Sequence, residues 1–133
     1  MRRLKTVLRL LLAVAMIAVG VVHFVSPAGF VRIVPAFLPA PLALVLISGA
    51  AEILGGLGLL VPRTRRLAAW GLIALYVAVF PANVNMLVHE IPLGEAPVSL
   101  LVLWLRLPFQ ALFIAWAYWM TRPDQGEMER SAL

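Results

Sequence analysis

Residues 10–31 read LLLAVAMIAVGVVHFVSPAGFV and residues 67–88 read LAAWGLIALYVAVFPANVNMLV; neither stretch holds an Asp, Glu, Lys or Arg. Crossing a hydrocarbon core of about 30 Å takes roughly 20 predominantly apolar residues in a helix. Both stretches are long enough. Two further runs qualify with one interruption each: Pro41 to Val61 is broken only by Glu52, and Val98 to Met120 only by Arg106. The predicted spans are therefore 7–25, 41–61, 67–88 and 98–120. The segments between them, PAGFVRIVPAFLPAP, PRTRR and HEIPLGEAP, are rich in proline or charge and read as turns.

Composition agrees with this reading. The chain has 133 residues, 63% of them hydrophobic and 13% charged, against about 25% charged in a typical soluble domain. A soluble fold of this size buries only about 60–70% of the surface its unfolded chain exposes. The bilayer has to take up the rest. With no cysteine at all, disulfides, thiol relays, iron–sulfur clusters and thiolate-bound zinc are excluded. The net charge of +5 reports topology in a membrane chain and does not imply a nucleic-acid partner.

MRRLK followed by an apolar run also resembles a signal peptide, with Ala18-Val19-Gly20 as a cleavage site. The run outlasts a typical apolar region of 7–15 residues, which favours a retained helix. Arg2, Arg3, Lys5 and Arg9 precede the first span, Arg63, Arg65 and Arg66 lie in the second connection, and Arg122 and Arg130 follow the fourth span. The positive-inside rule then places both termini and the second connection in the cytoplasm, in an inner (cytoplasmic) membrane. Trp70, Trp116, Tyr118 and Trp119 would mark the inner interface, and Phe24, Phe30 and Phe37 the outer one. Short connections make sequential helices antiparallel. The expected fold is all-α, one domain, a four-helix bundle running up-down-up-down. The small residues of SGAAEILGGLG, residues 48–58, suit close helix packing.

The polar residues inside the spans are the candidates for function. Glu52 lies about 11 residues into its span, roughly 16 Å deep, and Arg106 about 8 residues into its own, roughly 12 Å deep from the same side. The expectation is that they pair across the bundle axis. Ser48 shares a helix face with Glu52, and Gln110 shares one with Arg106, each four residues away. Such a pair is either a structural ion pair, the head of a ligand pocket, or a step on a proton path. His23, Asn83 and Asn85 are placed roughly 4–8 Å below the outer surface. At about 200° apart, at most one of the two asparagines would point inward. His23 reads as an interhelical hydrogen-bonding residue, and no spacing of His with acidic residues suggests a metal. The ligand-binding candidates are thus Glu52, Arg106, Gln110, Asn83, His23 and Ser48, with no catalytic residue, no metal and no cofactor predicted.

Two segments outside the spans carry expectations of their own. The connection from Pro27 to Pro41 is too apolar for a solvated loop, and is expected to lie flat in the outer interface rather than fold over the bundle mouth as a lid. The tail DQGEMERSAL reads as disordered.

Taken in order, GxxHF at Gly20 to Phe24, PxxFxxIVPxxLPxP at Pro27 to Pro41, SGxxEIxGGxGLLxPRTRRLAAWGL at Ser48 to Leu72, FPANxxM at Phe80 to Met86 and RLPxQxxxIAWAY at Arg106 to Tyr118 resemble the DoxX family of small four-helix membrane proteins. The resemblance covers nearly the whole chain. It implies an accessory subunit in a membrane redox or stress-response system, since the family takes its name from a subunit associated with thiosulfate:quinone oxidoreductase. It also implies partners: membrane lipid, a quinone or other small apolar molecule, and a membrane or peripheral redox protein. Distant relatives look like assembly factors, which makes a structural partner of another membrane protein the alternative. A small proton-coupled carrier is the third reading. The family's polar positions map to Glu52, Asn83, Arg106 and Gln110. A stand-alone enzyme is not expected, because no nucleophile–base pair or cofactor fingerprint is present.

Overall fold

A computed structural model of the protein describes residues 2–91 and 99–133. Helix α1 spans Arg2–Val25, the one-turn α2 Ala28–Val31, α3 Pro41–Leu60, α4 Arg65–Val88, α5 Leu100–Met120 and α6 Gln125–Ser131. Four of them, α1, α3, α4 and α5, are long and apolar enough to cross a membrane. The fold is the expected all-helical up-down-up-down bundle of a multi-pass membrane protein. The first span starts at Arg2 rather than residue 7. The fourth is described from Leu100, and the predicted turn at 89–97 lies outside the described residues beyond Ile91.

Each connection has a local cause. Pro41 occupies the first turn of α3, where its missing N–H costs nothing. Ala40, just before it, takes a left-handed φ of 49°. Helix α4 ends past Pro81 without a break in its assigned span. Thr64 closes the turn from α3 to α4 by donating its hydroxyl to the Gly58 and Val61 carbonyls.

α1 and α3 form the closest pair, and small residues are the reason. A Cβ on Gly49 would lie 2.6 Å from Cβ of His23, and one on Gly20 would lie 2.6 Å from the Gly49 carbonyl oxygen. The buried positions of α3, Val45, Gly49, Glu52, Gly56 and Leu59, alternate steps of four and three residues, so one narrow stripe faces α1. α4 then packs on α3, and α5 chiefly on α4.

The main core sits toward the end of the bundle that carries both termini. Leu12, Met16, Leu59, Leu72, Tyr76 and Ala117 meet there from all four spans. A smaller core at the opposite end joins Ile33, Met86 and Leu103.

That second core corrects the reading of the 27–41 connection for its first half. Ile33 is 7% exposed, its carbonyl accepts a hydrogen bond from Asn85 Nδ2 at 3.0 Å, and Phe30 packs on the His23 ring at a centroid distance of 4.0 Å. The first half of the segment, through Ile33, therefore packs on the bundle, whereas Phe37 and Leu38 are 80% and 37% exposed, as a stretch lying in the interface would be. α1 ends at Val25, and His23 touches α3 at Gly49, eight residues past Pro41, or about 12 Å along the helix. The tail is corrected as well, since residues 125–131 form α6 instead of a disordered end.

Candidate functional site

The six predicted residues divide into two groups. On α1 and α3, His23, Ser48 and Glu52 come together. Val45 lies within α3; its carbonyl can only accept, and His23 Nδ1 lies 3.0 Å from it, so Nδ1 carries the proton. Ser48 donates to the same carbonyl at 2.8 Å and stands 3.1 Å from Nδ1. The other ring nitrogen, Nε2, is then free of hydrogen in the neutral imidazole. It lies 3.6 Å from Glu52 Oε2, within ion-pairing reach and longer than a hydrogen bond. The two side chains are 8% and 9% exposed. Such a pair is electrically neutral when it holds one proton, on either partner.

On α4 and α5, Asn83 bridges Arg106 and Gln110. Arg106 donates to Asn83 Oδ1 at 3.2 Å, and Asn83 Nδ2 donates to Gln110 Oε1. Gln110 Nε2 donates in turn to the backbone carbonyl of Tyr76. Pro81 lies four to five residues beyond Tyr76 and Val77, where a proline cannot supply the usual helical donor. The side-chain amide from α5 thus serves a stretch of α4 backbone near that gap.

The Glu52–Arg106 ion pair expected from depth does not form: among the described residues no carboxylate stands within ion-pairing distance of Arg106. The two residues lie at similar depth, but each finds a partner on an adjacent helix. α3 packs against α1 and α4, while α5 packs on α4, so the nearest polar group for Glu52 is on α1 and that for Arg106 is on α4. Tyr76 stands between the groups, its hydroxyl donating to the Met16 sulfur.

Both asparagines of the third span are used, on different sides of the helix as their separation of about 200° requires. Asn83 faces α5, and Asn85 faces the 27–41 segment instead of the bundle interior. Among the described residues no three His, Asp or Glu side chains gather as a metal site requires.

Two buried polar atoms of the candidate site have no hydrogen-bond partner: Glu52 Oε2 and Arg106 Nε. Each belongs to one of the two groups. An unsatisfied polar atom in a membrane interior is expensive and calls for an explanation.

A third polar group was read only as a topology signal. Lys5 and Arg9, one turn apart on α1, are 9% and 4% exposed. Both reach Asp124 just after α5, Arg9 at 2.8 Å and Lys5 at 3.1 Å, and Lys5 also donates to the Arg122 carbonyl. Burial pushes the Asp124 carboxyl up, but hydrogen bonds from Arg9 and Lys5 and their charges outweigh it, leaving the group below its ordinary 3.8. The i, i+4 spacing of Lys5 and Arg9 with the acid following the last span was the available sequence signal.

No curated protein and no solved structure matches the chain. One family does, over residues 12–121, from the middle of α1 to the end of α5. The matched region contains both polar groups of the bundle interior, and the chain belongs to the family described as Domain of unknown function (DUF8561).

Proposed function

We propose that this chain is an accessory protein of a membrane redox or stress-response complex that holds a small amphiphile, quinone- or lipid-sized, by its polar head within the bundle. One observation carries the reading: Glu52 Oε2 and Arg106 Nε are buried with no hydrogen-bond partner, and the nearest group to Glu52 Oε2, His23 Nε2, stands at 3.6 Å, beyond hydrogen-bond length. A carbonyl oxygen of the guest would accept from Arg106 Nε–H, and a second polar atom would meet the Glu52 carboxyl. Phe30, packed on the His23 ring, would shield the polar head from water. The DoxX resemblance supports the same class of role. The distribution of Lys and Arg supports an inner-membrane location with both termini in the cytoplasm.

Native mass spectrometry of the protein in mild detergent, beside Glu52→Gln and Arg106→Gln, tests this. The expected result is a bound small molecule on the natural chain that is depleted at least tenfold in both variants, while all three insert and fold. Retention of the same molecule by both variants overturns the reading.

A second reading, a proton-coupled carrier, draws on the His23–Glu52 pair. With no arginine beside it to hold Glu52 ionised, the pair is free to exchange its single proton. Proteoliposomes carrying the natural chain should then dissipate an imposed pH gradient, and Glu52→Gln should abolish this. Equal rates for the two would eliminate the carrier.

A further inference from the structure

At the terminal end of the bundle, far from the polar groups of the interior, lies a cleft of about 200 Å³ whose lining includes Arg9, Arg65, Arg66, Thr121, Arg122 and Asp124. Its charge is lopsided. Asp124 meets Arg9, Lys5 and, at 3.8 Å, Arg65. Among the described residues no carboxylate stands within ion-pairing distance of Arg66 or Arg122. Among the described residues, one acid thus serves five cations.

Two observations point to an absent anion. Arg9 is 4% exposed, and its Nε has no hydrogen-bond partner although its terminal nitrogen is engaged by Asp124. A buried guanidinium normally satisfies its whole fork of donors. Second, Arg65 and Arg66 occupy the first turn of α4, which contains no acid, and Thr64 gives that helix no side-chain cap. The positive end of a helix favours negative charge, so two arginines there repel the helix and each other unless an anion joins them.

The depth is informative too. Trp70 and Tyr118 pack edge to face at 5.9 Å near this end, both about half exposed, and Arg122 lies over the Tyr118 ring. Aromatic side chains of this kind mark the headgroup level of a bilayer.

We propose that the cleft is a binding site for a phosphate oxyanion, presented at this depth by the headgroup of an anionic phospholipid. A tetrahedral phosphate offers oxygens in several directions. It can accept from Arg66, Arg122 and Arg9 Nε together while Asp124 keeps its contacts with Lys5 and Arg9. Arginine forks suit this geometry.

The test uses the full chain in nanodiscs of phosphatidylcholine alone or with a minority of phosphatidylglycerol. Native mass spectrometry reads the lipid retained on release, and tryptophan fluorescence reads the melting temperature. The natural chain should keep phosphatidylglycerol in preference to phosphatidylcholine and melt higher in its presence. Arg66→Gln with Arg122→Gln, two exposed positions outside the Asp124 contacts, should reduce that preference by about thirtyfold, equivalent to about 2 kcal/mol.

Arg3→Gln with Arg130→Gln removes the same charge from the same end without touching the cleft, and should leave the preference nearly intact. Equal losses in the two double variants would mean diffuse attraction to an anionic surface and would overturn the site. Inorganic phosphate titrated into phosphatidylcholine discs distinguishes the source. Stabilisation that vanishes in the Arg66/Arg122 variant would support the site with a soluble anion as its occupant. No response to either lipid or phosphate would overturn it.

Discussion

Asp124→Asn is expected to destabilise the folded chain by about 3 kcal/mol, the lower end of the range for breaking a buried ion pair. The substitution keeps the shape of the side chain and removes the charge that compensates Lys5 and Arg9, whose side chains are 11% and 5% exposed. The lower end applies because Asp124 itself retains 18% exposure. Two buried cations on α1 would then be left beside Arg65, Arg66 and Arg122 with no carboxylate among the described residues to offset them, and Arg65 would lose its more distant carboxylate. The junction of α1 with the segment after α5 should loosen first.

The pH dependence has a fixed sign. A carboxyl held below its ordinary 3.8 contributes stability that is complete above that value and is lost as pH falls through the lower folded one. Detergent-solubilised natural protein should therefore show an acid limb of unfolding beginning below about pH 4. In Asp124→Asn this contribution should be missing, with stability already reduced at neutral pH. Thermal melts between acid and neutral pH, on both proteins, measure the difference. A neutral-pH melting temperature unchanged by the substitution would refute the compensation argument.

The second large effect concerns the α1–α3 contact. Gly49→Ala places a methyl group 2.6 Å from Cβ of His23 and 3.0 Å from the Gly20 carbonyl, and Gly20→Ala places one 2.6 Å from the Gly49 carbonyl. Backbone atoms cannot step aside, so the helices must separate. Overpacking of this kind costs about 1–3 kcal/mol, beyond the gain of up to about 1 kcal/mol that alanine brings to a helix. Gly71→Ala is the control: nothing lies within 4 Å of its added Cβ, so only the helix gain applies and the chain should be slightly stabilised. Opposite signs at Gly49 and Gly71 in a melting or SDS-titration experiment are the expected result. Because His23 is the residue struck, Gly49→Ala should also move the imidazole relative to Glu52 and lower any proton movement that the pair supports.

These residues show how far the sequence could be read. Four long apolar runs were enough to give the number and approximate extent of the spans, because the energetics of the bilayer leave a helix almost no alternative. The polar positions in the spans were equally visible, since hydrocarbon makes any Glu, Arg or Asn conspicuous. Their pairing was not. Depth alone set Glu52 opposite Arg106, but partners depend on which helices touch and how each is rotated, and neither quantity follows from hydropathy. The closeness of α1 and α3, set by Gly20 and Gly49, gave Glu52 a histidine, while Asn83 on α4 took Arg106. The 27–41 segment shows a related limit: a proline-rich apolar run suits an interface and a bundle mouth equally, and here Ile33 packs inward while Phe37 stays exposed. Lys5 and Arg9 were hidden in plain view, as basic residues before a first span are normally explained by orientation.

The contact of Arg9 with Asp124 joins residues 115 positions apart. Ribosomes add about 5–20 residues each second, so roughly 6–23 s separate the emergence of Arg9 from that of its counter-ion. Throughout that interval Lys5 and Arg9 lack the carboxylate that offsets them in the finished fold. Asp124 follows the last of the four long helices, so this contact can close only once every span has been made, and it ties the first helix to the last as a latch.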